Sequence, residues 1–565
     1  MAKPEITRHF ATITDGRWGA RQVHYRRCGS GPAVIMLHQS PLSSLDMIHT
    51  MRRWHKHFTC IAPDTPGFGL SDPLGVAAAE TVDFAEAVTE FMDALGIGRA
   101  AIYGFHTGAM IAGAMALAFP QRVTAAAANG YVVLDENERA DLVANYLPPF
   151  RPEWDGSHLT WSWARMREQT IFFPWYAKSQ AERLPNSVPD PQTLQAALLD
   201  LLRAGDHYRV GYRAAFTMRG ELATRHATVP LLVTAAKTDV LATQLPRLRN
   251  CSRTTSVIAG GSVDETLDLV RDFLKRGKPA AAPAVAATAG IAGRAWNDTV
   301  RIPGGQLRLR RNLDAPGRPV VVQHDAAGSS DIIRPLAESF IGHRPVIAID
   351  LPGHGESDNT LGSGRVTVAG HARAVQQALR ALGVDQYDFV GTWGGALVGL
   401  ELATTARSAL RRLVLADLMY FDAPTLARLR KHYTPRIEPD WYGGHLLHTW
   451  HMIRDQSLFW PWFDRSSQGV IHQPVNVATE MVHRRVIEVF KAPEMWRAAY
   501  QAHFAYPVKA RLRALKVPAM LVAPDWDPNL AHTRNAHRDF PHIPFRRMPA
   551  SWRDWGRELI AFLDA

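Results

Sequence analysis

The 565-residue sequence lacks the features that define several large classes of protein. Its three cysteines, Cys28, Cys60 and Cys251, have no paired spacing, so neither a disulfide framework nor a zinc site is indicated. No stretch approaches about 18 uncharged apolar residues, and the first residues contain no apolar segment of the signal-peptide type. We therefore expect a cytoplasmic protein with no membrane partner.

The sequence also has no concentrated basic segment, although its formal net charge is +11 and its pI is near 9.7. Nucleic-acid binding requires such a segment, so we expect a small-molecule partner, with the positive charge favouring an anionic one. No phosphate-binding loop of the GK[ST] type, strand-linked GxGxxG or His/Cys cluster is present. We accordingly predict neither a metal nor an organic cofactor.

What the sequence does contain is an internal repeat. Equivalent residues keep an offset of 286 to 288 positions: His38 with His324, His106 with Trp393, and Asp239 with Asp527. Such self-similarity indicates a tandem duplication, in agreement with a length that exceeds one hydrophobic core. We predict an N-terminal domain over residues 8–276, an Ala/Pro-rich linker over 277–297 and a C-terminal domain over 298–565.

Apolar strand-like runs alternate with helical patterns in both copies. This alternation predicts an α/β fold, in which a mostly parallel sheet is covered by helices on both faces. Helical, aromatic-rich sequence interrupts the alternation over about 135–228 and again over about 422–516. We interpret these two insertions as helical caps that follow the sixth strand of each copy.

Two further motifs occur in the same order in each copy. Asp64–Asp72 and Asp350–Asp358 share the pattern D-x-P-G-x-G-x-S-D, and each is followed by a glycine-flanked strand-to-helix turn. His106 is the central residue of the first turn and Trp393 of the second. The two copies thus resemble α/β-hydrolase domains, whose nucleophile stands at the centre of this elbow. The resemblance implies a cofactor-independent hydrolase or related lyase acting on a small carbonyl compound.

The family's catalytic order is nucleophile, acid and histidine. Here His106 replaces the usual nucleophile, and it is either a general base, a nucleophile forming an acyl-imidazole or a relic. Asp239 lies where the family has its acid and is predicted to orient His106, or else to form a turn. Ser262 stands where the last histidine is expected; it is either activated by His106 or caps the final helix.

The family's oxyanion hole consists of two backbone N–H groups. By position these belong to Thr107, directly after the elbow residue, and to Ser40. His38 and Gln39 immediately precede Ser40, and we assign both to the substrate-binding region. Gln39 replaces the glycine that is usual in the family, which leaves the backbone donors in place.

One helix face of the first cap carries polar residues among aromatic ones. At 100° per residue, the shared face includes His158, Trp161, Arg165 and Gln169. We predict substrate contacts for these four residues, although aromatic stripes at this spacing usually pack in a core. His158 and Gln169 are equally well explained as buried structural groups.

The second copy is predicted to be inert, because the indole of Trp393 can neither attack nor accept a proton. Asp325 would repel a developing oxyanion, while Asp527 retains the acid position and Ser551 replaces the histidine. A rival interpretation is that both copies are non-catalytic, forming a ligand-binding or scaffold protein. In either case we expect the copies to pack as an internal pseudo-dimer.

Overall fold

The computed structural model describes residues 4–185, 187–406, 408–472 and 476–565. Asn186 and residues 473–475, which belong to the two predicted caps, lie outside the described residues. The chain divides into two compact units, the first formed by residues 1–151 and 158–289 and the second by 152–157 and 290–565.

The first unit is built around an eight-stranded sheet. Its strands are β1 (Thr7–Ile13), β2 (Arg21–Cys28), β3 (Ala33–Leu37), β4 (Thr59–Pro63), β5 (Ala100–Phe105), β6 (Val123–Asn129), β7 (Leu231–Ala235) and β8 (Thr255–Ala259). Their order across the sheet is β1-β2-β4-β3-β5-β6-β7-β8. Only β2 pairs antiparallel, with β1 and β4, so the predicted mostly parallel sheet is confirmed.

Nine α-helices lie in the described part of this unit. They are α1 (Ile48–Trp54), α2 (Thr81–Ala94), α3 (Thr107–Ala118), α4 (Glu136–Asn145), α5 (Ser157–Glu168), α6 (Pro191–Ala204), α7 (Tyr208–Thr217), α8 (Gly220–His226) and α9 (Val263–Arg276). The buried faces of the helices complete two apolar clusters, one on each side of the sheet. Central strands such as β3 are buried along their full length, as continuous apolar runs predict.

Helices α4 to α8 form the insertion between β6 and β7, which is where the sequence predicts a cap. They pack over the ends of the strands at which the elbow lies. A Cβ on Gly211 of α7 would lie 2.7 Å from the Phe68 ring and 3.3 Å from the Ser40 hydroxyl. The Ser43 hydroxyl donates a hydrogen bond to the carboxylate of Asp200 in α6 (2.8 Å).

The second unit repeats this plan with an identical strand order. Its strands are β9 (Trp296–Ile302), β10 (Gly305–Asn312), β11 (Val320–Gln323), β12 (Val346–Ile349), β13 (Tyr387–Thr392), β14 (Leu410–Ala416), β15 (Ala519–Pro524) and β16 (Phe545–Met548). Its helices are α10 (Arg334–Glu338), α11 (Val368–Ala381), α12 (Gly394–Thr405), α13 (Ala423–His432), α14 (Gly444–Asp455), α15 (Thr479–Lys491), α16 (Pro493–Ala505), α17 (Val508–Ala514), α18 (Leu530–Asp539) and α19 (Trp555–Asp564).

The predicted linker is attached to the first sheet over part of its length. The backbone N–H of Ala33 donates to the carbonyl of Ala280 (2.8 Å), and Ala282 donates to Gly31 (3.2 Å). Further along, the hydroxyl of Thr12 donates to the carbonyl of Ala289 (2.6 Å). Residues 280–289 therefore belong to the first unit.

Among the described helices, none has the length and apolar character needed to cross a bilayer.

Candidate active site

The elbow of the first unit connects β5 to α3 through His106, whose backbone has φ 48° and ψ −108°. The flanking glycines are required for close packing: a Cβ at Gly104 would lie 1.9 Å from the carbonyl oxygen of Gly108, and one at Gly108 2.1 Å from that of Leu37. The positive φ therefore falls on the histidine itself, where a side chain is unfavourable. This geometry lifts the imidazole above the ends of the strands.

His106 contacts Asp239, the residue that the sequence assigns to the acid position. Nε2 of His106 lies 2.9 Å from Oδ2 of Asp239, and the other carboxylate oxygen accepts the N–H of Leu241 (2.9 Å). An ionised carboxylate can only accept hydrogen bonds, so Nε2 carries the proton and Nδ1 is left to accept one. The structure thus brings two of the three predicted catalytic residues together.

Each member of this pair shifts the pKa of the other. Burial opposes protonation of His106, but the charge and hydrogen bond of Asp239, with a smaller effect of Asp46, outweigh it and raise the pKa of the imidazole. Burial likewise disfavours ionisation of Asp239, and its pKa is nevertheless lowered by His106 and by the Leu241 N–H. The His106 side chain is 28% exposed, whereas that of Asp239 is 7% exposed.

An open cavity of about 300 Å³ adjoins this pair. Its walls come from the ends of β5, β6 and β7 and from α9, with Gln39, Phe105, Asn129, Thr238 and Val263 among the lining residues. The Gln39 amide donates to the half-buried carboxylate of Asp46 (3.3 Å), and desolvation raises the pKa of that carboxyl. No sequence motif marks Asp46, which lies in a 3₁₀ segment outside the family's motifs.

The two predicted oxyanion donors lie next to each other. The backbone N–H of Ser40 points at the hydroxyl of Thr107 (3.3 Å). Thr107 is the first residue of α3, where backbone N–H groups have no acceptor within the helix. Both donors are thus on the elbow side of the sheet, beside His106.

His38 and Ser262 have structural hydrogen bonds instead of contacts with His106. His38 Nδ1 lies 2.8 Å from the carbonyl of Gln39, and its Nε2 accepts the N–H of Thr65 (2.9 Å), so both nitrogens hold the loop. The Ser262 hydroxyl donates to Glu265 (2.9 Å) and accepts the Glu265 N–H (3.3 Å), which forms a capping box at the start of α9. The structure does not bring Ser262 and His106 together.

The four predicted cap residues are held by different contacts. Arg165 donates from Nη1 to the Gln169 side-chain oxygen (3.0 Å) and is only 1% exposed. Trp161 makes an edge-on contact with the Trp175 ring at 6.4 Å, whereas His158 is buried against Phe150. Helical spacing predicts the shared face, but not the rings from elsewhere in the chain that surround Arg165.

In the second unit, the elbow residue also donates a ring N–H to the equivalent aspartate, but its ring is an indole. Trp393 has φ 46° and donates from its indole N–H to Oδ2 of Asp527 (2.8 Å). Asp325 lies at the position equivalent to the predicted oxyanion hole: one carboxylate oxygen accepts the N–H of Gly394 (3.1 Å), and the other accepts the hydroxyl of Tyr500. A protein carboxylate thus binds the N–H group that is equivalent to the predicted donor of Thr107.

A buried carboxyl pair lies behind Trp393. Burial raises the pKa of Asp527 to about 7, and burial together with Asp527 raises the pKa of Asp417 well above its usual range. Both carboxylate oxygens of Asp417 are buried without a hydrogen-bond partner, and its φ is 56°. Gly130 is the equivalent residue in the first unit, with φ 70°.

Among the described residues, no group of three or more His, Cys, Asp or Glu side chains is placed to hold a metal ion.

Comparison with known proteins identifies the family. The family model of the α/β hydrolase fold matches residues 32–216 and 318–470, so the chain belongs to this family and contains two copies of its domain.

Two curated hydrolases are similar to part of this chain. Haloalkane dehalogenase 2 of Mycobacterium tuberculosis is 32% identical over 115 residues, covering 19% of this chain and 39% of the relative. 2-hydroxy-6-oxo-6-phenylhexa-2,4-dienoate hydrolase of Comamonas testosteroni is 31% identical over 128 residues, covering 21% and 42%. The chain thus matches less than half of each relative's length.

Among solved structures, a hydrolase from Pseudomonas aeruginosa is similar at 17% identity, with a TM-score of 0.38, over 48% of this chain and 98% of that chain.

Proposed function

We propose that the first copy is a cofactor-independent hydrolase or a related lyase. Its substrate would be a small compound with a reactive carbonyl group, such as an ester, a thioester, a lactone or a ketone whose C–C bond is cleaved. The main support is the hydrogen bond of 2.9 Å between His106 and Asp239 at the elbow, beside an open cavity. The matched relatives are hydrolases of the same family, which agrees with this class of reaction.

In this proposal the neutral His106 ring acts as the general base. Nε2–H remains hydrogen-bonded to Asp239, and Nδ1 takes a proton from water as the oxygen attacks the carbonyl carbon. The carbonyl π electrons move onto oxygen and form a tetrahedral oxyanion. Its collapse expels the leaving group, which receives the proton from Nδ1. Asp239 stabilises the imidazolium that exists between these two proton transfers.

The backbone N–H groups of Thr107 and Ser40 would bind the oxyanion. The substrate oxygen would replace the Thr107 hydroxyl as acceptor for Ser40, a weak contact of 3.3 Å. The second unit supports this role, because the N–H equivalent to that of Thr107 binds a carboxylate oxygen there. Gln39 would line the substrate cavity, and His158, Trp161, Arg165 and Gln169 would select the substrate from the inserted helices.

The proposal is tested by an activity screen of the full chain over p-nitrophenyl esters, thioesters, lactones and cleavable diketones. Any activity found should fall sharply in His106→Ala, since positioned proton transfer contributes about 10²- to 10⁴-fold. Unchanged turnover in that variant would remove His106 as the base. Ligand binding without turnover in any assay would instead support the non-catalytic alternative, which the missing histidine after β8 favours.

A further inference from the structure

Arg165 is a buried cation surrounded by aromatic rings. Its guanidinium carbon lies 5.2 Å to 5.8 Å from the ring centroids of Tyr146, Trp175, Tyr208 and Tyr212, and the residue is 1% exposed. No carboxylate forms an ion pair with it among the residues that the structure describes. A buried charge without a counter-ion is unfavourable. Four cation–π contacts offset this cost only in part.

One edge of the guanidinium has no hydrogen-bond partner. Nη1 donates to Gln169 and lies 3.6 Å from the Met166 sulfur, whereas Nε and Nη2 are buried and unpartnered. These two N–H groups point in parallel and form the edge that binds a carboxylate in a bidentate manner. Arg53 shows this use in the same chain, with Nε and Nη2 donating to the two oxygens of Asp268 at 2.9 Å and 2.6 Å.

In the second unit, the glutamine equivalent to Gln169 also contacts a guanidinium, but that arginine belongs to a different helix. Met452 is equivalent to Arg165, and Gln456 is equivalent to Gln169. There Nη2 of Arg485, from α15, donates to the Gln456 side-chain oxygen at 3.1 Å. Counting from the matched Tyr212 and Tyr500, Arg485 aligns with Ala197 of α6. The arginine is therefore exchanged between two helices while its contact with the glutamine is kept.

The arginine site faces the elbow. In the second unit, the Arg485 guanidinium lies 5.8 Å from the centre of the Trp393 ring, and Tyr500 reaches the oxyanion position through Asp325. In the first unit, Tyr212 belongs to the Arg165 cage, and the preceding Gly211 packs against Ser40. Consecutive residues of α7 therefore contact the cage and the Ser40 donor.

We propose that the free edge of Arg165 binds a carboxylate group of the substrate, so the first copy acts on carbonyl compounds that are also carboxylic acids. The reaction in this inference rests on the proposed function, whereas the binding of a carboxylate does not. The aromatic cage would enclose the apolar part next to the carboxylate, and Gln169 would fix the guanidinium plane. Met452 shows that the fold does not require an arginine at this position.

The test uses calorimetric binding of phenylacetate and of its neutral isostere phenylacetamide to the full-length His106→Ala protein, in which no turnover interferes. We expect phenylacetate to bind at least about 10-fold more tightly, because charge-assisted hydrogen bonds are stronger than neutral ones. Arg165→Met, which introduces the residue of the second copy, should abolish this preference without lowering the thermal midpoint. The exchange Arg165→Met with Ala197→Arg should restore part of it.

Equal binding of the two probes, or a preference that survives Arg165→Met, would overturn the subsite. Should Arg165→Met fail to fold, Arg165→Lys provides the decision: it keeps the charge but loses the bidentate edge, and an unchanged preference then refutes the proposal. The proposed reaction is judged separately with the native elbow. If His106→Ala abolishes hydrolysis but Arg165→Met slows acidic and neutral esters equally, the reaction stands and the subsite fails. If turnover survives His106→Ala while carboxylate preference requires Arg165, the subsite stands and the reaction fails.

Discussion

The elbows of the two units share a backbone and differ in what their side chains can do. His106 and Trp393 have nearly the same positive φ, and each donates a ring N–H to the aspartate that follows the seventh strand. Imidazole has a second nitrogen that can accept a proton, whereas indole has none. The comparison separates the structural part of the elbow, a hydrogen bond from a ring to an acid, from the basic nitrogen that catalysis would need.

The largest effect is expected from removing that nitrogen. His106→Ala should lower kcat/KM by about 10³-fold on any substrate found, within the range for general base catalysis. The matched variant Trp393→Ala should remain within a few-fold of the native rate. Comparable losses in both variants, with folding preserved, would show that the second unit is not inert.

The oxyanion position offers the next test, because it is filled by Asp325 in one unit and open in the other. Gln39→Asp should place a carboxylate opposite the Thr107 N–H and reduce kcat by about 10²-fold, as the loss of one oxyanion donor does. Gln39→Asn is the control, since it shortens the side chain equally without adding charge. Equal rates for the two variants would count against an oxyanion role for Thr107.

A change of about 10²-fold in kcat, the lower end of the range for general base catalysis, is expected for Asp239→Asn. Ionised Asp239 raises the pKa of His106, so its replacement lowers that pKa. The basic form of His106 then persists to lower pH, and the rising limb of the pH–rate profile should shift in that direction. Asp527→Asn provides the control and should leave the profile in place; an unshifted profile in Asp239→Asn would remove the orienting role.

The smallest effect concerns stability, and it follows from Asp417 standing where the first unit has glycine. The folded carboxyls of Asp417 and Asp527 have raised pKa values and retain protons that the unfolded chain releases above about pH 4. The free energy of unfolding should therefore decrease as pH rises from about 4 to about 7, by up to about 1.4 kcal/mol per pH unit for one proton.

Asp417→Gly should make that dependence shallower and raise the thermal midpoint by a few degrees at pH 8, because it also relieves the positive φ. Asp417→Asn removes the charge alone and should recover only part of the gain. A midpoint at pH 8 that falls in Asp417→Gly would contradict the assignment of this residue as unfavourable.

Local pattern and repetition were sufficient to predict the fold. The continuous apolar run at Ala33–Leu37 forms β3, and the amphipathic pattern that begins at Thr81 forms α2. Family motifs likewise located His106 and Asp239, although only their distance in space shows that they form a hydrogen bond. These two residues are 133 positions apart in the sequence, whereas helix and strand periodicity predicts only which near neighbours share a face.

The surroundings of Arg165 were not predictable for the same reason. Its helix face is readable from 3.6-residue spacing, but Tyr146 and Trp175 reach it from the segments after α4 and α5, and Tyr212 from α7. Asp46 belongs to no sequence motif that would mark it. Ser262 forms hydrogen bonds with Glu265 in a local capping box and not with His106. Sequence patterns identify the candidates, whereas long-range packing decides which of them meet.

The attachment of residues 280–289 to the first sheet affects how the duplicated chain can be divided. Ala280 and Ala282 extend the hydrogen bonding beside β3, and Ala289 covers Thr12 in β1. A fragment that ends at Gly277 would lose these bonds and leave the edge strand β1 uncovered, which favours self-association. We therefore expect a monodisperse N-terminal fragment only when the chain continues through Ala289.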